Sequence, residues 1–320
     1  MLRRYVATLI LLLVMMAASI ASTAALRMEK TLESYNDVFA DIVNVLIFKG
    51  KHKIKPDELT NAAARSQYKL GSKIRDQERD VAKYWGNCKL HMALYGIENQ
   101  TNVDKDMPLR CFGYDGAAYR HQLTEFEEYT DEEGNVHKKD VPRYPVITLV
   151  LYFGSGEWDK YKYLHETMEI DEDLREYVND YKINVVSISK LDRATVDMFT
   201  SDFKIVADYF WQLENNGNYD PSPQEIEHVY EICQLMSLLT GDDRFDDAAE
   251  KILNAEKGKG SMCKAFDDAE ARGEARGEDR INKLNNLLKE AGRIDDLLKA
   301  CTDKVFQKKL MAEFASQLAV

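Results

Sequence analysis

The sequence has few cysteines, and they follow no recognisable pattern. There is no CxxC pair and no Cys/His cluster; the five cysteines are Cys88, Cys111, Cys233, Cys263 and Cys301. Their wide spacing and odd number argue against both a structural zinc site and a disulfide framework. This usage is typical of a protein in a reducing, cytosolic environment.

The sequence also lacks the patterns of several common enzyme classes. Its six histidines are scattered without the spacing of metal ligands, and no Ser-His-Asp or Cys-His arrangement is visible. There is no Walker-type motif and no glycine-rich dinucleotide-binding motif. Triad hydrolases, P-loop enzymes and dinucleotide-dependent enzymes therefore have no support in the sequence.

An overall positive charge is missing as well. The 320 residues include 43 Lys and Arg against 55 Asp and Glu, a net charge of −12 at pH 7, whereas nucleic-acid-binding proteins more often carry a basic balance or stripe. One segment departs from this: Lys49 to Lys89 contains eleven Lys or Arg and five Asp or Glu. Within it, Lys51, Lys53 and Lys55 are candidate DNA contacts. A solvated surface without a partner is the alternative interpretation.

Residues 1–27 form an apolar N-terminal extension. After Leu2-Arg3-Arg4, the stretch from Tyr5 to Leu26 carries no charge. The basic start, the Leu-rich middle and the small residues that follow fit a secretory signal peptide or a single membrane anchor. A third interpretation is a mis-assigned start, with the chain beginning at Met28. The function that the rest of the sequence indicates favours a cytoplasmic location, and a membrane is a partner only if the apolar segment is retained.

The remaining sequence alternates helix and strand patterns. An apolar stripe from Tyr35 to Leu46 predicts a first helix, opened by a capping box of Ser34 and Asp37. Residues 106–128 predict a second helix, followed by an exposed acidic loop over 129–140. The predicted strands cover residues 67–70, 75–85, 90–98, 145–153 and 183–189. From Asp192 onward the pattern is helical, with a break at 215–223. The order predicts an α/β fold with an α-helical C-terminal extension over 216–320.

Glu98 and Gln100 are the clearest candidates for chemistry. They stand two residues apart at the end of a strand that is apolar on both faces, so their side chains share one face, roughly 6.7 Å apart. Asp80 precedes Glu98 by the length of a hairpin. Two carboxylates, the backbone carbonyl of Asn99 and room for water are what a Mg²⁺ site requires. On spacing alone, a strand that merely ends in polar residues explains the same pattern.

Longer segments around these candidates are more specific. They include Arg79-Asp-Val-Ala-Lys-Tyr-Trp85, Ala93-Leu-Tyr-Gly-Ile-Glu-Asn-Gln-Thr101, Met107-Pro-Leu-Arg110, Tyr114-Asp115, Tyr35-Asn-Asp-Val-Phe-Ala-Asp-Ile42 and Pro145-Val-Ile-Thr-Leu-Val-Leu-Tyr-Phe-Gly154. Together with the helix over 192–209, they resemble the recombination-promoting nuclease/transposase family of the PD-(D/E)XK superfamily. The resemblance extends over about residues 31 to 280.

The resemblance implies a restriction-endonuclease-like mixed β-sheet core of the order α-β-β-β-α-β, within a nuclease-like domain over residues 28–215. It also implies a Mg²⁺-dependent DNA endonuclease linked to recombination or transposition, with Mn²⁺ as a substitute metal. Asp80 and Glu98 match the two acidic positions that act in catalysis and hold the metal, with the Asn99 carbonyl beside them. Gln100 stands where the superfamily commonly has Lys.

Three further residues are candidates, each with an alternative. Asp37 matches an acidic position on the family's opening helix that often completes the metal site, and it could instead cap that helix. Arg110 and Tyr114 share a helix face and are candidate phosphate contacts, although a surface ion pair explains Arg110 equally well. The alternative function is a catalytically inactive relative that binds DNA or another protein, tethered to a membrane or exported. A homo-oligomer is left open.

Overall fold

The computed structural model describes most of the chain after the apolar extension. The described residues are 24–25, 27–62, 65–70, 73–87, 90–221, 223–241, 245–246, 249–250, 252, 260–261 and 277–318. The predicted signal peptide or membrane anchor, except its last few residues, lies outside them. Among the residues that are described, no helix is both long and apolar enough to cross a membrane.

The described part of the chain contains both strands and helices. The strands are β1 (Leu59–Asn61), β2 (Arg65–Leu70), β3 (Lys73–Glu78), β4 (Val81–Asn87), β5 (Leu90–Gln100), β6 (Phe126–Thr130), β7 (Val136–Asp140), β8 (Val146–Tyr152), β9 (Asn184–Ser187), β10 (Glu225–Ile226) and β11 (Gly260–Ser261). The helices are α1 (27–33), α2 (Asn36–Leu46), α3 (Met107–His121), α4 (Arg193–Met198), α5 (Phe203–Asn216), α6 (Val229–Thr240), α7 (277–290), α8 (Ile294–Thr302), α9 (Lys304–Glu313) and α10 (Ala315–Leu318). Short 3-10 turns cover Pro56–Glu58, Gln122–Thr124, Leu164–Thr167, Glu172–Tyr177 and Ile188–Lys190.

A five-stranded mixed sheet forms the centre of the fold, in the order β1-β4-β5-β8-β9. β4 pairs antiparallel with β1 and β5, whereas β5–β8 and β8–β9 are parallel pairs. β5 lies in the middle because both of its faces are apolar, which suits a strand that is covered on both sides. The predicted α/β class is confirmed.

Helices cover both faces of this sheet. On one face, α2 and α5 pack Phe39, Ile42 and Phe203 against Ile97 of β5 and Leu151 of β8. On the other face, α3 packs Met107 and Cys111 against Val150 and Tyr152. The last helices bury a separate small cluster formed by Leu284, Leu288, Ala300, Leu310 and Leu318. The central sheet is therefore covered on each side, and a few polar side chains, such as Lys83 and Thr148, are buried with it.

Two predicted elements have different boundaries in the structure. The predicted strand over 75–85 is two strands, β3 and β4, separated at Arg79 and Asp80. The predicted helix over 106–128 ends at His121, and the following residues form the hairpin β6–β7 instead of a helix end and a loop. Local pairing explains the hairpin: Tyr129 stacks on His137 across the strands at 5.3 Å, and Gly134 supplies the positive φ of the turn.

The predicted capping box at Ser34 is wrong. The residue that precedes α2 is Tyr35, which forms no side-chain cap, and the Ser34 hydroxyl donates to the carbonyl of Thr31 at 2.6 Å. The reason is that another helix, α1, comes directly before, so Ser34 closes one helix and does not open the next. Helix α2 ends at Leu46, three residues before the predicted end near Lys49 and Gly50. Both of these residues adopt positive φ, which a helix cannot continue through.

Candidate active site

Asp80 and Glu98 meet at one end of the central sheet. Val81 of β4 lies opposite Ile97 of β5, so Asp80 lies level with Glu98. Asp80 Oδ2 accepts the backbone N–H of Asn99 at 2.7 Å. The last backbone pair between β4 and β5 is Val81 with Ile97, and this side-chain bond lies directly beyond it. It fixes the Asp80 carboxylate at the strand end. The structure therefore brings together the two acids that the sequence singles out.

Glu98 is a fully buried carboxylate on the α3 side of the sheet. Its Oε2 accepts a hydrogen bond from Arg110 Nη2 at 3.2 Å. Its Oε1 has no hydrogen-bond partner among the described residues. Burial, and secondly the negative charge of Asp80, raise the pKa of Glu98 to about 8, while Arg110 acts in the opposite direction. Glu98 therefore needs a positive charge beyond that of Arg110 to be fully ionised at neutral pH.

The short helix α1 brings two more carboxylates to the same strand end. Glu29 and Glu33 lie one turn apart and are both buried. Asn99 Nδ2 donates to Glu33 Oε2 at 2.8 Å, and Asn99 faces α1 because successive strand residues point to opposite faces. Glu33 Oε1 and both oxygens of Glu29 have no hydrogen-bond partner in the described part of the chain.

The pKa values of Glu29 and Glu33 are raised by their burial and by the neighbouring carboxylates. Burial, and then the charge of Asp80, raise the pKa of Glu29 to about 8. Burial also raises the pKa of Glu33 well above its ordinary value; the hydrogen bond from Asn99 opposes this shift, and the charges of Glu29 and Asp80 add to it. The charge of Asp80 thus acts on Glu29, Glu33 and Glu98, and the charge of Glu29 acts on Glu33 as well.

Glu29 and Glu33 are the site residues that the sequence reasoning missed. A helix predicted to begin at Ser34 leaves both of them outside it. The signal that could have found them is the spacing Glu29-x-x-x-Glu33, with the buried Leu32 beside it, which places two acids on one face of a single helical turn. The packing of that turn against the strand end depends on tertiary structure.

Two cations neutralise part of this cluster. Lys30 Nζ lies 2.5 Å from Asp80 Oδ1. The lysine side chain is 44% exposed, so it can leave the carboxylate without opening the core. Arg110 bonds Asp104 and the Tyr114 hydroxyl in addition to Glu98. The site therefore contains a guanidinium held by three hydrogen-bonded partners and an ammonium paired with Asp80.

The donor set of the cluster suits a hard divalent cation. Mg²⁺ prefers carboxylate and carbonyl oxygens, and buried carboxylate oxygens without a donor are costly unless a cation or a proton neutralises them. In the described arrangement, no three His, Cys, Asp or Glu side chains among the residues searched stand close enough to hold one metal ion together. Metal binding would therefore require the carboxylates to draw together and Lys30 to leave Asp80.

Gln100 and the Asn99 carbonyl lie at the rim of this cluster. Both residues belong to the end of β5 and pair with Leu151 and Tyr152 of β8. Gln100 is half-buried and shares the strand face of Glu98. The predicted positions of these two groups next to the acids are consistent with hydrogen bonding to water or to a phosphate oxygen.

Asp37 occupies a different environment from the one predicted. Its carboxylate accepts a hydrogen bond from His228 Nε2 at 2.9 Å, and the ring of Tyr35 stacks on His228 at 3.8 Å. No contact among the described residues links Asp37 to Asp80 or Glu98. Because the chain turns between α1 and α2, Glu33 faces the strand end while Asp37 faces the start of α6. Of the two predicted roles, cap and metal ligand, the contacts of Asp37 match neither.

The remaining predicted contacts are divided between surface and interior. Lys51, Lys53 and Lys55 are exposed on the loop after α2. The loop is held by Asn44, whose amide accepts the N–H groups of Lys53 and Ile54 and donates to the Ile54 carbonyl. The lysines are therefore displayed on an ordered surface. No described contact connects them to the carboxylate cluster.

Tyr114 is buried and lies beneath Arg110. Its hydroxyl accepts a hydrogen bond from Arg110 Nη2 at 3.2 Å, and only 6% of the residue is exposed. A buried tyrosine offers little surface to a phosphate. The prediction of a phosphate contact is therefore corrected to a supporting role, in which Tyr114 orients Arg110.

A buried ion pair anchors the segment that carries Asp80. Arg79 Nη2 donates to Asp115 Oδ1 at 2.5 Å. The same carboxylate accepts the hydroxyl groups of Thr148 at 2.6 Å and of Tyr181 at 2.5 Å. Arg79 Nε has no hydrogen-bond partner among the described residues. A buried ion pair of this kind fixes geometry more than it adds stability. It ties the break between β3 and β4 to helix α3, and thereby holds Asp80 in place.

Gly96 makes room for this anchor. A Cβ atom at Gly96 would lie 2.7 Å from Cδ and 3.0 Å from Nε of Arg79, which is closer than packed atoms approach. The Arg79 side chain crosses the sheet directly over that position. The glycine in the middle of β5 is thus explained by the close approach of a side chain and not by backbone conformation.

Comparisons with protein-family models, with curated proteins and with solved structures give no match to the chain. The family named from sequence motifs therefore stays a resemblance.

Proposed function

We propose that the chain is a Mg²⁺-dependent DNA endonuclease of restriction-endonuclease-like fold, linked to recombination or transposition. The observation that carries the proposal is the meeting of Asp80 and Glu98 with Glu29 and Glu33 at one strand end, with buried oxygens that lack donors. A cluster of buried carboxyl groups that is only partly neutralised by cations is expensive for stability alone. Functional sites are where such a cost is usually retained.

The order of elements supports the proposal. Helix α2, strands β1, β4 and β5, helix α3 and strand β8 follow one another as α-β-β-β-α-β, with the hairpins β2–β3 and β6–β7 as additions. The paired acids stand on the two antiparallel strands β4 and β5. This order of elements supports the fold that the sequence resemblance implies.

The chemistry divides between the metal and the chain. When bound, Mg²⁺ supplies charge neutralisation and lowers the pKa of the attacking water. Asp80, Glu98 and Glu33 are the residues that would hold it. Gln100 hydrogen-bonds a water molecule or a phosphate oxygen. Lys30, once released from Asp80, is free to pair with substrate phosphate.

A cleavage assay tests the proposal directly. With Mg²⁺ or Mn²⁺ the purified protein is expected to nick supercoiled plasmid and to cut linear duplex DNA, and chelation of the metal should abolish both reactions. Circular dichroism of the same sample establishes that the protein is folded. A folded protein that cuts neither substrate with either metal would remove the nuclease assignment.

An inactive relative that binds DNA or protein is the second candidate. It is favoured by the ion pairs of Lys30 with Asp80 and of Arg110 with Glu98, which place cations of the protein itself on both acids. It predicts DNA or protein binding without cleavage, unchanged by chelation of the metal.

The basic loop after α2 gives a prediction that holds for either candidate. Replacing Lys51, Lys53 and Lys55 by Gln should weaken binding to all DNA sequences alike. Because each lost phosphate contact removes up to about 0.9 from the slope of log K against log salt, the slope should become shallower. Fluorescence anisotropy over a series of salt concentrations measures it.

A matched control for this triple variant lies in α9. Lys304, Lys308 and Lys309 are also exposed, and their replacement by Gln changes the net charge by the same amount. We expect the control to retain the wild-type salt slope. Equal slopes for both triple variants would return the basic loop to the status of a solvated surface.

A further inference from the structure

The hairpin β6–β7 stands out from the rest of the chain. All ten of its strand residues are exposed, including Tyr129 at 53% and Val136 at 65%. Its two strands hold each other through cross-strand contacts, such as Lys138 over the ring of Phe126 at 3.7 Å. No described residues cover these strands, so the hairpin is an exposed arm. A two-stranded hairpin without further packing is marginal in water, and a partner surface would stabilise it.

This arm is strongly acidic. Residues 125–140 contain seven Asp and Glu against two Lys, and three acids in succession, Asp131, Glu132 and Glu133, form the turn. Glu132 and Glu133 are both exposed. A partner surface must therefore offer positive charge for the turn and apolar area for Tyr129 and Val136. We refer to residues 126–140 as the acidic arm.

A surface with these properties lies on the same chain. A cavity of about 430 Å³ opens between the end of α2 and strand β9, and most of its lining is aliphatic, including Ile47, Ile147 and Leu149. Lys162 and Lys182 also line it, and both are exposed. Neither lysine forms an ion pair with a carboxylate in the part of the chain that the structure describes. The cavity thus joins an apolar floor to two unpaired positive charges.

Strand β9 adds an open backbone edge beside this cavity. Among the described residues, it is the last strand of the central sheet and pairs with β8 alone. A single bridge between Tyr163 and Lys182 precedes it. Asn184, Val185 and Val186 of β9 contribute to the cavity lining. Edge strands of this kind accept an extended segment from another chain through main-chain hydrogen bonds, and neighbouring pockets take its side chains.

We propose that two copies of the chain form a symmetric dimer in which the acidic arm of each covers the cavity and the β9 edge of the other. Glu132 and Glu133 would face Lys162 and Lys182, and Tyr129 would lie on the aliphatic floor. The partner is a second copy because both complementary surfaces belong to one chain. In a symmetric dimer each arm covers the cavity of the other copy, so neither surface stays exposed. Two equal contacts also bury twice the area of one, and a stable interface buries roughly 1,200–2,000 Å² in total. The proposal is independent of nuclease activity.

Charge reversal on each surface tests the dimer. In sedimentation equilibrium of the full chain, the wild type is expected to be a dimer. The variants Lys162→Glu/Lys182→Glu and Glu132→Lys/Glu133→Lys should each raise the dimer dissociation constant by more than about a hundredfold, since like charges then face each other. An equimolar mixture of the two variants should form a heterodimer, because each reversed surface meets its reversed counterpart.

Controls make every result decisive. Reversal of Lys51 and Lys53, which do not line the cavity, should leave the dimer intact, and thermal melts should show that all variants are folded. A monomeric wild type, reversal variants that dimerise like the wild type, or a mixture that stays monomeric would each overturn the proposal. The proposal would also be overturned if the Lys162→Glu/Lys182→Glu variant lost DNA binding but kept the sedimentation mass of the dimer. The two lysines would then bind nucleic acid and not the acidic arm.

Discussion

Replacing Asp80 by Asn, or Glu98 by Gln, is expected to lower the rate of metal-dependent DNA cleavage by at least about a hundredfold. Each change keeps the shape of the side chain and removes one anionic oxygen donor from a metal that has few protein ligands. The charge stabilisation that a metal supplies is worth several kcal/mol, and each 1.36 kcal/mol is a factor of ten in rate. Single-turnover nicking at saturating metal concentration measures the effect on the chemical step.

Three further substitutions locate the boundary of the site. Glu33→Gln should lose cleavage, whereas Asp37→Asn should retain it, because Glu33 contacts Asn99 while Asp37 contacts His228. Gln100→Ala should lower the rate by only about tenfold, since a neutral group positions water without carrying charge. If the Asp80 and Glu98 variants both cut at the wild-type rate, the nuclease assignment is wrong for this chain.

The pair Asp80 and Glu98 could be predicted because it depends on local structure. The two residues belong to consecutive antiparallel strands, and the alternation of β5 fixes which side chains share a face. The central position of β5 likewise follows from its apolar residues on both faces. What the pattern could not reveal is the break at Arg79, since an isolated sequence does not show that this arginine is drawn onto Asp115 on α3.

The rest of the site depends on contacts between distant residues. Glu33 meets Asn99 across 66 positions, and Asp37 meets His228 across 191. Both acids lie near the start of the first helical region, and helix periodicity alone cannot decide which one faces the sheet. The turn at Ser34 decides it, because it rotates α1 relative to α2. The helix face shared with Arg110 predicts Tyr114 as a phosphate contact for a similar reason, since only packing shows that Tyr114 lies beneath Arg110.

Glu29→Gln is expected to make the folded protein much less sensitive to rising pH. Burial and the charge of Asp80 raise the pKa of Glu29 from 4.5 to about 8. Between those values the folded protein keeps a proton that the unfolded chain has released. The contribution of Glu29 to the free energy of unfolding is therefore fully present below about pH 4.5, and it is lost as the pH rises to about 8.

The size of this effect follows from the shift. One retained proton lowers the free energy of unfolding by about 1.4 kcal/mol for each pH unit, so the loss for Glu29 reaches at most about 5 kcal/mol at pH 8. The Gln variant carries no ionisable group there and should lack this part of the loss. Urea unfolding at several pH values between 5 and 8, without divalent metal, gives the difference from wild type. Glu172→Gln, at an exposed position, should follow the wild-type profile.

Adding divalent metal distinguishes a carboxylate cluster that binds a cation from one whose carboxyl groups interact only with one another. Mg²⁺ binds the ionised carboxylates and not the protonated ones, so it should raise the melting temperature of the wild type more at pH 8 than at pH 5. The Glu29→Gln variant should gain less from Mg²⁺ at pH 8, because one of the anionic groups that attract the cation is gone. If Mg²⁺ gives no stabilisation at pH 8 while the pH profile still flattens in the variant, the buried carboxylates are coupled to one another but not to a metal. The inactive, binding-only candidate would then explain the cluster better than a nuclease.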